Sequence, residues 1–238
     1  VKTEVVNLSG KACRLFVQSH AKHLLIQPMD GQELASSEQE VETIRALSAE
    51  AFCFAALRIE DWNEELTPWA APPVFGKTPF GDGAGKTLAF ITDQLLPVLH
   101  EKEIDTAHCL LGGYSLAGLF ALWAGYRTSR FEGIAAVSPS VWFPGWVEYA
   151  TQGKPFPGSV YLSLGDKEEK AKNPVVAQVG NAIRRQEEVL RGQGVNTILE
   201  WNAGNHFACV PERMAKGFAW LMNNRNVAVS PSRLSCGG

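Results

Sequence analysis

His108-Cys109-Leu110-Leu111-Gly112-Gly113-Tyr114-Ser115-Leu116-Ala117-Gly118 carries more structural information than any other stretch of the chain. Cys109 to Gly112 is a short apolar run that reads as a buried strand, and Leu116 to Tyr126 is apolar enough for a core helix. Between them, Gly113 to Ala117 makes a tight turn. A sharp strand-to-helix turn of this kind is a nucleophile elbow, which holds a serine hydroxyl clear of the sheet. Strand and helix nearly touch there, so small residues are needed two before and two after the serine. Gly113 and Ala117 take those places. Alanine at 117 departs from the commoner glycine. The ordinary alternative is that Ser115 is only a turn residue, as serine in glycine-rich turns commonly is. A serine hydroxyl is a poor nucleophile by itself, so the reading requires a base and an acid further along.

Outward from the elbow, strand and helix patterns alternate. Strands are expected at residues 12–18, 23–28, 51–59, 133–137, 159–164 and 197–201. Helices follow from the spacing of Val41, Ile44 and Leu47, of Leu88, Ile91, Leu95 and Val98, and of Val176, Val179, Ile183 and Leu190, with a last one over 211–223. Pro97 should kink or end the second of these. Repeated β-then-α units imply a mostly parallel central sheet with helices on both faces. With the elbow, the expected architecture is an α/β-hydrolase fold without a sizeable lid domain. Residues 1–225 are read as one domain and 226–238 as a flexible tail. The Pro-, Gly- and Trp-rich stretch 60–85 should overhang the sheet's carboxyl edge.

Bulk properties exclude several classes. With 238 residues, 45% hydrophobic and 20% charged, the chain is long enough for a full α/β core. A net charge of −3 argues against nucleic acid or an anionic membrane as main partner. No apolar run is long enough to span a bilayer. The first residues do not resemble a signal peptide, although without an initiator methionine a removed upstream segment stays open. Five cysteines (Cys13, Cys53, Cys109, Cys209, Cys236) show no paired spacing, which fits reduced thiols and a cytoplasmic location. No His-x-x-x-His or Cys-x-x-Cys spacing calls for a metal. Gly81 to Thr87 imitates a phosphate-binding loop, but Phe80 stands where that motif needs its first glycine.

On this fold the acid and the base should follow the serine in that order. His206 follows the last expected strand, in Ala203-Gly204-Asn205-His206-Phe207. His20, His23, His100 and His108 come too early or sit in the wrong elements. The acid belongs to Gly165-Asp166-Lys167-Glu168-Glu169. Glu168 is favoured over Asp166 because three residues past Gly165 leave the loop room to curl back. An oxyanion hole would use the backbone N–H of Leu116 and a second one from the Met29-Asp30-Gly31-Gln32 loop, at Gly31. An ordinary Asp-Gly turn explains that loop equally well. Trp69, Trp142 and Phe143 are candidates for an apolar substrate pocket or for plain packing.

Taken together, these segments resemble the esterase family of α/β-hydrolases that contains the enterochelin esterases and the esterase D (S-formylglutathione hydrolase) group. The matching stretches are Pro28-Met29-Asp30-Gly31, residues 113–122, Ala136-Val137-Ser138-Pro139-Ser140-Val141-Trp142, Gly165-Asp166-Lys167-Glu168 and Gly204-Asn205-His206. The resemblance implies serine-dependent hydrolysis of a small-molecule carboxylic ester, with neither metal nor organic cofactor. A counterpart of the extra N-terminal domain of some siderophore esterases is not expected within these residues. Two other readings stay open: an acyltransferase working through the same acyl-enzyme, and a non-catalytic binding module on a hydrolase scaffold.

Overall fold

A computed structural model describes residues 1–224; the tail expected from residue 226 onward, with Cys236, lies outside the described residues. Among the described residues, eight strands form one sheet in the order β1-β2-β4-β3-β5-β6-β7-β8. They are β1 (Lys2–Leu8), β2 (Lys11–Val17), β3 (His23–Met29), β4 (Phe52–Arg58), β5 (Cys109–Tyr114), β6 (Gly133–Val137), β7 (Ser159–Gly165) and β8 (Asn196–Asn202). β2 pairs antiparallel with both β1 and β4, and every other pairing is parallel.

The period-2 alternation of strand side chains builds a core on each face. From β3, Leu24 and Ile26 point to one side and Leu25 to the other; β4 and β5 split in the same way. The larger core lies under α4 (Ala84–Phe90), α5 (Leu96–Glu101), α6 (Leu116–Arg127), α7 (Trp146–Gln152) and α8 (Val179–Gly192). The smaller lies under α2 (Ser37–Leu47) and α9 (Val210–Asn223), where Met214, Ala215 and Phe218 meet Phe54, Leu110 and Tyr161. α6 is buried along eleven consecutive residues, Leu116 to Tyr126, which explains why its sequence shows no polar stripe. Two short helices, α1 (Gly31–Ala35) and α3 (Trp62–Glu65), occupy the loops after β3 and β4.

Several expectations are corrected. β1 adds an edge strand that the sequence did not announce. Most of its side chains are at least partly exposed, so it lacks a clean alternation. Its hairpin turns at Ser9 and Gly10, both with positive φ (48° and 82°), as a two-residue turn matched to strand twist requires. The helix expected around Leu88 to Val98 is interrupted by a π-helical turn, Ile91–Leu95, with Pro97 in the first turn of α5. The proline offers no N–H to the preceding turn, and the wider π turn absorbs the mismatch. The stretch from Val176 opens as a 3-10 turn before α8. The glycine run before α4 packs its backbone on Glu64: Gly83 N–H donates to the Glu64 carbonyl (2.9 Å). Among the described residues only α7 and its flanking loops lie between β6 and β7, so no lid domain stands there. No helix of the described residues is long and apolar enough to cross a membrane.

Candidate active site

The groups that the sequence reading marked as chemical lie in the loops and helix starts that follow the carboxyl ends of parallel strands, the usual ligand edge of an open α/β sheet. Ser115 follows β5 with φ 57° and ψ −120°, a conformation that costs a non-glycine residue about 1–3 kcal/mol. The small residues around it hold this turn. A Cβ on Gly113 would lie 2.2 Å from the Ala117 carbonyl oxygen, and one on Gly118 would lie 2.9 Å from the Gly113 oxygen. Because Gly113 lacks a Cβ, the extra methyl of Ala117 is accommodated.

His206, after β8, brings Nε2 to 3.1 Å from Ser115 Oγ and Nδ1 to 2.7 Å from Glu168 Oε2. A proton on Nδ1, donated to the carboxylate, leaves Nε2 as acceptor for the serine hydroxyl. Glu168 is buried (4% side-chain exposure) while His206 stays reachable at 32%. Oε1 of Glu168 accepts from Gly165 N–H (2.7 Å), Ser138 Oγ (2.5 Å) and Arg213 Nη2 (3.2 Å). Burial pushes the Glu168 carboxyl up. The hydrogen bond and charge of His206, with the Ser138 hydroxyl and the Gly165 amide, outweigh that and hold it below the usual carboxylate range.

Asp166 lies elsewhere: its Oδ1 accepts from Gly204 N–H (2.8 Å). Lys167 N–H donates to the Gly204 carbonyl (3.1 Å), so the two loops are laced together beneath His206. Gly31 opens α1, whose N-cap Asp30 accepts from Gln32 and Glu33 N–H while Glu33 accepts from Asp30 N–H. The Asp-Gly pair is therefore the start of a capped helix rather than a simple turn. Burial raises the Glu33 carboxyl to about 8, against the relief given by the Asp30 N–H.

Ser115 and His206 border two cavities. One, of about 460 Å³, is bounded by Asp30, Glu33, Trp62 and Val210. The other, of about 490 Å³, is bounded by Phe75, Ser140, Trp142 and Val179. Phe207 borders both, 85% exposed, its edge against the His206 ring. Trp142 faces the second cavity. Trp69 packs behind it on Phe143 and Tyr149 and donates to the Pro144 carbonyl (2.9 Å), away from the residues bounding either cavity. Phe143 is buried. Phe75, from the loop 60–85, stacks edge-on against Trp142, so this loop reaches the serine end of the sheet.

Sequence reasoning missed Phe207, Glu33, the hydroxyl of Tyr114 and above all Arg213. The Arg213 side chain is 2% exposed and donates to Tyr114 Oη (2.8 Å) as well as to Ser138 and Glu168. A signal for it existed: Arg213, Gly217 and Leu221 share one buried stripe of α9, and a cation in such a stripe needs partners. Cys13, Cys53 and Cys109 are buried free thiols, and Cys209 is exposed beside the first cavity. Among the described residues no cluster of three or more His, Cys, Asp or Glu side chains is arranged to hold a metal.

Strand order, the lone antiparallel β2 among parallel neighbours, and the elbow define an α/β-hydrolase fold. No protein-family model matches the sequence, and no characterised protein matches it at the level of sequence. Solved structures do. The siderophore hydrolase EstB from Aspergillus nidulans superposes with a TM-score of 0.70 at 18% identity, over 92% of this chain and 93% of that one. An IroE-like serine hydrolase from Shewanella oneidensis gives 0.76 at 16%, over 93% and 80%. The enterobactin esterase FES from Shigella flexneri gives 0.66 at 16%, over 93% of this chain and 59% of that one. At these identities the likeness establishes the shared fold.

Proposed function

We propose that this chain is a serine carboxylic-ester hydrolase working through an acyl-enzyme on Ser115. The observation that carries the reading is the contact of His206 with Ser115 Oγ through one ring nitrogen and with the buried Glu168 carboxylate through the other. His206 takes the serine proton as Oγ attacks the ester carbonyl, then returns it to the leaving alcohol. Water, activated by the same imidazole, releases the acid. Glu168 fixes the tautomer and stabilises the imidazolium that forms in each step. The N–H of Leu116, first in α6, and that of Gly31, first in α1, stabilise the oxyanion. The esterases and hydrolases among the solved structures of this fold support a small-molecule ester as substrate. Trp142 serves as an apolar wall for it.

The test is turnover of short-chain nitrophenyl esters. Ser115→Ala is expected to lower kcat by ~10³-fold or more, as deletions within such arrays do. Activity that survives the substitution sinks the assignment. Product analysis with added alcohols separates hydrolysis from acyl transfer, since a hydrolase yields free acid at every acceptor concentration.

A further inference from the structure

We propose that Arg213 is a positioning residue that holds the base and the acid of the Ser115–His206–Glu168 array in register. The inference rests on the preceding reading of that array.

The guanidinium spends its fork on the site. Nη2 donates to Glu168 Oε1 and to Ser138 Oγ, the same two groups that bond one another, so one side of the acid is clamped by a donor pair. Nη1 donates to Tyr114 Oη, and the Tyr114 hydroxyl in turn donates a hydrogen bond to the backbone carbonyl of His206 (2.5 Å). Arg213 thus touches the acid directly and the base through one intermediary. Tyr114 immediately precedes Ser115, so its ring ties the elbow to the histidine loop as well. The free oxygen of Glu168, Oε2, is left to His206 Nδ1.

Three features argue against a role in stability alone. Arg213 lies in the first turn of α9, with its N–H on the Cys209 carbonyl, where the helix dipole disfavours a cation. Its Nε finds no acceptor among the described residues, a cost that a purely apolar side chain would avoid. A buried ion pair is also commonly no better for stability than a well-packed hydrophobic replacement. The fork geometry of arginine, by contrast, suits the simultaneous orientation of a carboxylate and two hydroxyls.

Three variants test this, read by nitrophenyl ester kinetics and by the rate at which a fluorophosphonate labels Ser115. Arg213→Ala is expected to lower kcat and the labelling rate ~10- to 100-fold with KM nearly unchanged, the range typical for groups that orient reacting side chains. Guanidinium ion should restore at least ~5-fold of that loss, whereas equal concentrations of urea or sodium chloride should not, because only a planar cation refills the fork. Arg213→Lys, which keeps the charge as a point donor, should give an intermediate rate. Tyr114→Phe, which frees the histidine loop and also removes the hydroxyl acceptor of Arg213 Nη1, should cost ~10-fold.

Wild-type kcat in Arg213→Ala overturns the proposal. So does a loss that guanidinium does not relieve and that is matched by a fallen Tm, since that is the behaviour of a merely structural residue. If Arg213→Ala does not fold, the other two carry the test, and wild-type rates in both overturn it. A wild-type protein whose Ser115 does not label refutes the parent reading. Labelling lost in Ser115→Ala but intact in the Arg213 variants refutes this inference alone.

Discussion

The two acids of the β7 loop, two residues apart, do different work because of where their partners lie. Glu168 is buried against His206, Ser138, Gly165 and Arg213, whereas the Asp166 carboxylate caps Gly204 N–H. An acid that orients the imidazole acts on the transition state, so its loss should appear in kcat rather than in KM. Glu168→Gln is expected to lower kcat by at least ~10²-fold, within the usual range of acid–base contributions. Asp166→Asn, which keeps an oxygen for the Gly204 amide, should cost much less. Steady-state kinetics of the pair decide it: equal losses would mean that the loop as a whole, and not the Glu168 carboxylate, is what His206 needs. The choice of Glu168 over Asp166 was legible in the sequence only as an argument about loop length. That Asp166 would be occupied elsewhere was not, because its partner, Gly204, is 38 residues away.

Among the elements, α9 joins the histidine loop to the sheet. It follows the histidine loop, supplies Arg213, and covers β5, β6 and β7 with one apolar stripe. Phe218 sits at its centre, fully buried, edge-on to Phe54 (5.9 Å, 86°). A Cβ on Gly112 would lie 2.4 Å from its ring, so the bare backbone of β5 just ahead of the elbow exists to receive it. Phe218→Ala should therefore destabilise the fold by ~3–5 kcal/mol, lost transfer free energy and cavity together. Urea unfolding followed by tryptophan fluorescence measures this. A loss under ~1 kcal/mol would mean that α9 is only loosely docked. The helix itself was expected at 211–223 from its periodicity and from Pro211 at its start, and it runs Val210–Asn223. The short helices α1, α3 and α7 were not read, since four to seven residues give too little periodicity to distinguish a helix from a loop.

At the scale of the whole molecule, carboxyl groups perturbed in opposite senses shape stability against pH. Burial, with the charge of Glu33 beside it, holds Glu40 well above the usual carboxylate range, and burial holds Glu33 at about 8. For these two the folded state binds protons that the unfolded state has released, so stability falls as pH rises from about 4.5. The Glu33 share of that fall is complete near pH 8. Glu168, Glu4, Glu65 and Glu200 are lowered, so their contribution is present above the usual range and is lost as pH falls through their folded values. The expected outcome is a urea midpoint that declines between pH 5 and pH 8. In Glu33→Gln, which keeps an acceptor for the Asp30 N–H, that decline should be smaller. Parallel midpoint curves for variant and wild type would show that Glu33 titrates normally.

What the sequence determined by itself is local or periodic. The elbow is written in Gly113, Ser115 and Ala117 because steric room at a tight turn is a property of neighbouring residues. The parallel sheet is written in repeated β-then-α units because a right-handed crossover is the only short way back to a parallel strand. The serine, acid and histidine candidates follow from their positions after successive strands. Tertiary structure alone decided which atoms meet. It assigned Glu168 rather than Asp166 to His206, turned Asp30-Gly31 into a capped helix start, and set Trp142 facing the cavity with Trp69 behind. It also brought a buried arginine from α9 against Glu168 and, through Tyr114, to the His206 loop. Those outcomes depend on distances between segments up to about a hundred residues apart, Tyr114 and Arg213 being separated by 99. Such distances are fixed by the packing of two cores against one sheet, and no spacing along a single chain encodes them in readable form.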